Sequence, residues 1–339
     1  MRFLRALSPG RLMSAGLALL VVAAALYVLP SEQYIFLPDV AHPVAPLVSA
    51  PGAKEPHDGG GFYFVDVIVR KASLLERLLP HLRDGATLVP ASAVIPPGTS
   101  DAERRKQDLR EMSRSQSVAA AVALRALGYR VAAKPLGVLI AAVGADAPAH
   151  GKLETGDVVL SVDGKPVLTP GAMRTLIQRR HPGETVRFGL RRDHAARTVT
   201  VRTISGGPRE HGRPIVGVLV DQAADIRLPI PVRIDAGGVG GPSAGLAFAL
   251  DVMEELGRDV DRGYRVAATG EIRLDGGVGA IGGVKQKTIG ARRTHVDVFL
   301  VPAGDNADEA KRYAHGLRII PVQSFRQALR ALATLPPKH

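Results

Sequence analysis

The run from Leu12 to Leu29 (LMSAGLALLVVAAALYVL) carries no charge, and Arg2, Arg5 and Arg11 precede it. About 18–20 consecutive apolar residues suffice to cross a bilayer as a helix. Arginines before the run, with Glu32 and Asp39 after it, predict an N-terminus in the cytoplasm and the rest of the chain outside it. The Ala23–Ala25 tract would suit a cleaved signal peptide. Tyr27 and Leu29 continue the apolar run, however, and favour an uncleaved anchor at residues 12–30 behind a basic end at 1–11. No other stretch is long and apolar enough to span, so the expectation is a single-pass protein of the cell membrane.

Beyond the anchor the pattern changes repeatedly. Residues 31–61, rich in Pro, Gly and Ala and ending in three glycines, read as an extended linker. Phe62–Val69 reads as a mostly apolar strand and Leu74–Leu82 as a short amphipathic helix. After Pro96-Pro97-Gly98, Ser100 or Asp101 can cap a long helix running to about Leu127 and closed by Gly128. The second half of that helix, SVAAAVALRAL, is small and apolar, which predicts burial. From Val131 to Ile204 short strands and tight turns follow, with a helix near Ala172–Gln178 and alternating strands at Val186–Leu190 and Thr198–Val201. A strand at Ile230–Ile234 then enters a glycine-rich loop and a helix from about Ser243 to Gly257.

Composition narrows the chemistry. The 339 residues are 46% hydrophobic and 22% charged, ordinary globular values for two or three domains. The absence of Cys excludes disulfides, Fe–S clusters, thiolate-ligated zinc and a Cys nucleophile. A formal charge of +12 permits contact with nucleic acid or anionic lipid. The basic residues are scattered, though, and aromatics make up only 4%, poor material for stacking bases; no nucleic-acid partner is expected.

Residues 131–205 contain Leu136-Gly137-Val138 and the run GKLETGDVVLSVDG at 151–164. This stretch resembles PDZ domains of the bacterial protease-associated kind, in which an L..GD.I..VDG core recurs. The resemblance implies that Leu136, Gly137 and Val138 form the loop receiving a peptide C-terminus, by strand addition at a sheet edge with backbone N–H groups holding the carboxylate. The plainer alternative is a small β-rich spacer that binds nothing.

The chemistry-bearing stretch is GGVGGPSAGL at 237–246. Glycines let backbone approach a ligand, and a helix N-terminus supplies free N–H groups and a positive dipole end. Ser243 there is placed for nucleophilic attack, with Gly241 and Pro242 shaping its turn; alternatively it only caps the helix. A serine nucleophile needs a base. None of the ten His lies in a recognisable triad context and no HExxH occurs, so no metal is expected. Two lysines follow the Gly282-Gly283 turn at the head of a helix. At 100° per residue Lys287 falls beside Val284, Thr288 and Ala291 on the apolar edge, whereas Lys285 falls beside Arg292 on the basic, solvated side. Burial favours a neutral amine, the form a general base requires, so helical phase selects Lys287.

Taken together, GGPSAG, TGEI at 269–272 and IGGVKQK at 281–287 resemble the proteolytic domain of Lon proteases. The resemblance implies a Ser243–Lys287 dyad supported by Thr269. One departure is that Lon usually has Asp two residues before the Pro, where this chain has Gly240. A Lon-type domain also needs a β-rich start and a long helix, and the interval from 205 to Ser243 is too short to hold them. Residues 62–130 are therefore assigned to the first part of the protease domain and 206–335 to the second, with the PDZ-like module inserted between. The fold class expected is α+β. The whole resembles membrane-anchored, PDZ-containing Lon-like serine proteases, which lack an ATPase. No GxxxxGK[ST] occurs, so ATP-independent hydrolysis of extracytoplasmic peptide or protein substrates is expected, without cofactor. A homo-oligomer is compatible with this reading. Two rivals are a catalytically inactive membrane-anchored PDZ scaffold, which having both Ser243 and Lys287 argues against, and a small-molecule kinase using GGVGGPSAG as a phosphate loop.

Overall fold

The computed structural model describes residues 9–52, 59–94, 100–144, 146–193, 195–207 and 210–338. Arg2, Arg5 and the Pro96-Pro97-Gly98 break lie outside the described residues. The first element is the helix Pro9–Val28, on which Leu17, Leu19, Leu20 and Val28 are exposed. Among the described residues no helix is long and apolar enough to cross a membrane, so the transmembrane helix expected at 12–30 is not supported.

The body of the protein is mixed α/β. One sheet has six strands, in the spatial order Arg318–Val322, Val298–Pro302, Arg265–Ala268, Gly61–Ser73, Pro30–Pro43 and Thr87–Pro90. The first four run parallel and the last two pairings are antiparallel. The linker expected at 31–61 is thus corrected: Pro30–Pro43 is an interior strand with Tyr34 and Ile35 buried. Its prolines misled the reading. Pro30 and Pro43 stand at its ends, and Pro38 borders the register shift between Pro38 and Ala41, where a missing N–H is tolerated.

Alternation along these strands builds two apolar layers. On one face Phe62, Phe64, Val266 and Leu300 pack against the long helix Asp101–Ala126 and the helix Gly245–Glu255. On the other, Val65, Ala267, Phe299 and Val301 pack against the helices Val284–Arg293 and Asp305–Tyr313. As its composition predicts, the long helix buries Val118 through Leu124.

A second sheet is ordered Val218–Arg227, Ala132–Val143, Val158–Val162, Thr185–Arg192, Ala195–Arg202, with the helix Pro170–Gln178 covering a core of Val138, Ile140, Met173, Phe188 and Leu190. This sheet takes in a strand from beyond residue 205, because Val218–Arg227 pairs with Ala132–Val143 along its whole length. Arg114 of the long helix joins the two parts, donating to Asp221 Oδ2 at 2.8 Å and to the Gln222 carbonyl at 2.8 Å.

Candidate active site

Ser243 lies at the centre of the short 3-10 turn Pro242–Ala244, which leads directly into the helix Gly245–Glu255. Two features of the long helix fix the loop before it. Gly241 N donates to the Asp108 carbonyl at 2.8 Å, and Ser115 Oγ donates to the Pro242 carbonyl at 3.1 Å. Gly241 has φ +82°, in the region open to glycine. A Cβ at Gly240 would lie 2.8 Å from Asp108 Cβ, so the Asp common at that position in Lon has no room here. Likewise a Cβ at Gly245 would lie 2.6 Å from Ser115 Oγ and 2.8 Å from Ile272 Cγ2. These glycines bring the loop against the protein's own helix.

The capping alternative for Ser243 does not hold. The helix N-cap is Ala244, without a side-chain hydrogen bond. Instead, Lys287 Nζ is 2.7 Å from Ser243 Oγ, donating to it as the ammonium. Lys287 Nζ also lies 3.3 Å from Thr269 Oγ1, and Thr269 Oγ1 in turn donates to the Ser243 carbonyl at 3.1 Å. Gly270 N donates to the same carbonyl at 2.8 Å. Thr269 directly follows the strand Arg265–Ala268, so the three side chains meet where a parallel strand ends, between helices from opposite faces of the sheet. All five dyad and supporting residues expected from the sequence, Ser243, Lys287, Thr269, Gly241 and Pro242, fall at this point.

Lys287 is 3% exposed, and burial pushes its pKa from 10.5 down to about 8; the carboxylate of Asp66 opposes the fall. Lys285 is not on a free solvated face as its phase suggests. Its amine reaches the Ala86 carbonyl at 2.9 Å and Thr87 Oγ1 at 3.3 Å and lies over the Tyr313 ring, away from Ser243.

The peptide-docking residues expected in the PDZ-like unit are misplaced. Leu136, Gly137 and Val138 sit in the strand Ala132–Val143, with Gly137 opposite Ala223 and Val138 opposite both Gln222 and Val159. Gln222 Nε2 donates to the Gly137 carbonyl at 3.0 Å, and a Cβ at Gly137 would meet the Val159 carbonyl at 2.5 Å. Val138 is thus paired on both sides, and Val218–Arg227 already occupies the edge beside Gly137. The sheet's edge is Val218–Arg227, and between that edge and the helix Pro170–Gln178 lies a groove of about 510 Å³. Met173, Ile177, Val216, Val218 and Val220 give it an apolar floor, with Arg174 and Arg213 on its rim. The turn before the strand contains Gly217 at φ +77°. The signal for it was Ile215-Val216-Gly217-Val218, which has the apolar–Gly–apolar pattern of 136–138 but lies after the VDG turn instead of before it.

Glu254, Asp259 and Asp261 bring carboxylate oxygens within 4.8 Å of one another. These oxygens already accept backbone N–H groups of the 260–263 turn. Glu254 lies roughly 16 Å along the helix from Ser243 at 1.5 Å per residue, so the cluster takes no part in the dyad.

Residues 220–334 match the Lon protease (S16) C-terminal proteolytic domain, and residues 125–203 match the PDZ domain. Among relatives, Lon protease 1 of Sorangium cellulosum is 36% identical over 111 residues, covering 30% of this chain and 13% of that protein. The Lon protease of Chloroflexus aggregans is 33% identical over 143 residues, covering 38% and 17%. The chain therefore spans only a small fraction of the length of these relatives. Among solved structures, the PDZ domain of the SdrC-like protein of Listeria innocua is 24% identical, with a TM-score of 0.23, covering 25% of this chain and 92% of that domain. The protein thus carries the proteolytic domain of a Lon-type serine peptidase together with a PDZ domain.

Proposed function

We propose that the protein is an ATP-independent serine endopeptidase in which Ser243 is the nucleophile and Lys287 the general base. The observation that carries this reading is the 2.7 Å approach of a buried lysine amine to a serine hydroxyl that caps no helix. An ordinary lysine is neutral in only about one molecule in 3,000 at pH 7, whereas a pKa of about 8 leaves roughly a tenth neutral. The neutral amine takes the Ser243 proton as Oγ attacks a peptide carbonyl. The resulting ammonium then protonates the leaving amine, giving an acyl-enzyme. Lys287 next draws a proton from the water that attacks the ester and passes it to Ser243 Oγ as the acyl C–Oγ bond breaks. This releases the acid and restores the serine hydroxyl and the neutral amine. Thr269 holds the serine backbone and the amine together, and the N-terminus of Gly245–Glu255 places its positive dipole end beside the developing oxyanion.

The groove between Val218–Arg227 and Pro170–Gln178 is proposed to select substrates by adding an extended C-terminus to the sheet edge. That the catalytic domain works outside the cytoplasm belongs to the same proposal. It rests on the charges flanking the N-terminal apolar run, and protease accessibility in intact spheroplasts tests it.

A fluorophosphonate probe with peptide mass mapping tests the central reading. Ser243 should be labelled in the wild type, and Ser243→Ala or Lys287→Ala should lower peptide hydrolysis by several orders of magnitude, without additivity in the double variant. A folded protein that is neither labelled nor active would instead fit a non-enzymatic PDZ scaffold.

A further inference from the structure

Lys287 must become an ammonium in the course of the reaction, in a site that excludes water. Both hydrogen-bonding partners of its amine are hydroxyls, Ser243 and Thr269. Neither balances a charge. The geometry around the strand Gly61–Ser73 shows what does.

The lysine helix rests on this strand through the stripe Gly283, Lys287, Gly290, spaced at i, i+4, i+7. A Cβ at Gly283 would lie 2.8 Å from Val67 Cγ2, and one at Gly290 would lie 1.9 Å from the Asp39 carbonyl and 3.0 Å from Val65 Cγ1. Lys287 therefore leaves its helix at the level of residues 65–67. The neighbouring strand Arg265–Ala268 ends there, its last residue Ala268 opposite Phe64, and Thr269 follows. Asp66 lies two residues beyond Phe64. Alternation puts it on the face of Phe62 and Phe64, the face that packs against the Ser243 helix, where Phe64 and Phe248 approach to 6.1 Å between ring centroids. The adjacent strand bulges opposite Asp66, because Pro38 pairs with Val67 but Ala41 with Val65. Bulges re-aim side chains beside active sites. This one brings up Asp39, whose carboxylate is 3.3 Å from His42 Nε2.

We propose that Asp66 is a positioning residue of the dyad, its carboxylate facing Lys287 and offsetting the ammonium formed when the lysine takes the Ser243 proton. The inference rests on the dyad reading and deepens it. The proton moves only from Ser243 Oγ to Lys287 Nζ and on to the leaving amine; Asp66 stays ionised throughout. Burial raises the pKa of Asp66 and Lys287 opposes that rise, while the Asp66 carboxylate in turn raises the lysine pKa against burial. Around Asp66 the other charges are Asp39, which repels it, and His42, which eases that repulsion.

The test is the pH dependence of the rate at which a fluorophosphonate inactivates the full chain, with wild type, Asp66→Asn, Asp66→Glu and Lys287→Ala compared. Without the carboxylate the ammonium is less stable, so the midpoint of the rising limb in Asp66→Asn should move to lower pH by on the order of one unit. Its plateau rate and peptide kcat should fall about tenfold with KM unchanged, and Asp66→Glu should restore most of both. A role in folding alone would lower the melting temperature and leave the midpoint in place. The inference is overturned if Asp66→Asn, or Asp66→Ala should the first variant not fold, keeps the wild-type midpoint and plateau. If Lys287→Ala instead keeps the wild-type profile, the dyad itself is wrong.

Discussion

Lys287 is held at a cost. A lysine whose pKa is pushed from 10.5 to about 8 by burial destabilises the folded chain by on the order of 3 kcal/mol while it is protonated in both states. Below about pH 8 the penalty is complete; it fades as pH rises towards 10.5, where the amine is neutral folded or unfolded. Lys287→Met, similar in volume and uncharged, should therefore melt a few degrees higher than the wild type at pH 7, with the gap closing above pH 8, by calorimetry across that range. An unchanged melting temperature at pH 7 would mean the amine is better solvated than its position indicates. The choice of Lys287 over Lys285 was legible from helical phase alone, since phase decides which side of a helix is buried. What phase could not show was the destination of Lys285, because Ala86 and Thr87 lie some 200 positions away. Asp66 was hidden for a related reason: one acid in an apolar strand carries no signal until the strand's neighbours are known.

At the scale of the element, the loop 237–242 and its helix owe their position to the long helix Asp101–Ala126. The glycines were legible as a close approach, but the partner was not. Sequence patterning pointed to a ligand, whereas Gly240 and Gly245 meet Asp108 and Ser115 of the protein itself. Gly245→Ala tests this. In an unconstrained helix the change would be favourable by up to ~1 kcal/mol. Here the added methyl meets Ser115 Oγ and Ile272 Cγ2, so it should instead cost about 1–3 kcal/mol in denaturant unfolding. It should also lower peptide hydrolysis on the order of 100-fold, because a shift of about 1 Å at the nucleophile misaligns attack. A stabilised, fully active variant would show that the loop is not clamped there.

Across the whole molecule, strands from residues 30–90 and from 265–322 share one sheet, while the PDZ unit leaves and returns through the interval between the long helix and the Ser243 loop. The order of the parts was legible from motifs, which are local. The strand within 31–61 and the strand added to the PDZ sheet from beyond 205 were not legible because both depend on pairing between distant segments, Pro30–Pro43 with Gly61–Ser73 and Val218–Arg227 with Ala132–Val143. The same pairing places the groove proposed for docking at the edge bounded by Val216, Val218 and Arg213. Arg213 is exposed on its rim, so Arg213→Glu should leave the fold and the cleavage of a short generic peptide intact. Cleavage of a protein ending in an apolar residue with a free carboxylate should slow roughly tenfold, the worth of one charge-assisted contact. Equal rates on the protein substrate would place docking elsewhere.

The central claim is that a buried, partly neutral lysine activates Ser243, and the most direct measurement is the pH–rate profile of Ser243 acylation in the intact wild-type chain. With Lys287 held near pH 8, the rate should climb about tenfold per pH unit below that point and level off above it, the limb disappearing in Lys287→Ala. A profile that is flat from pH 6 to 9 in the wild type would contradict the account.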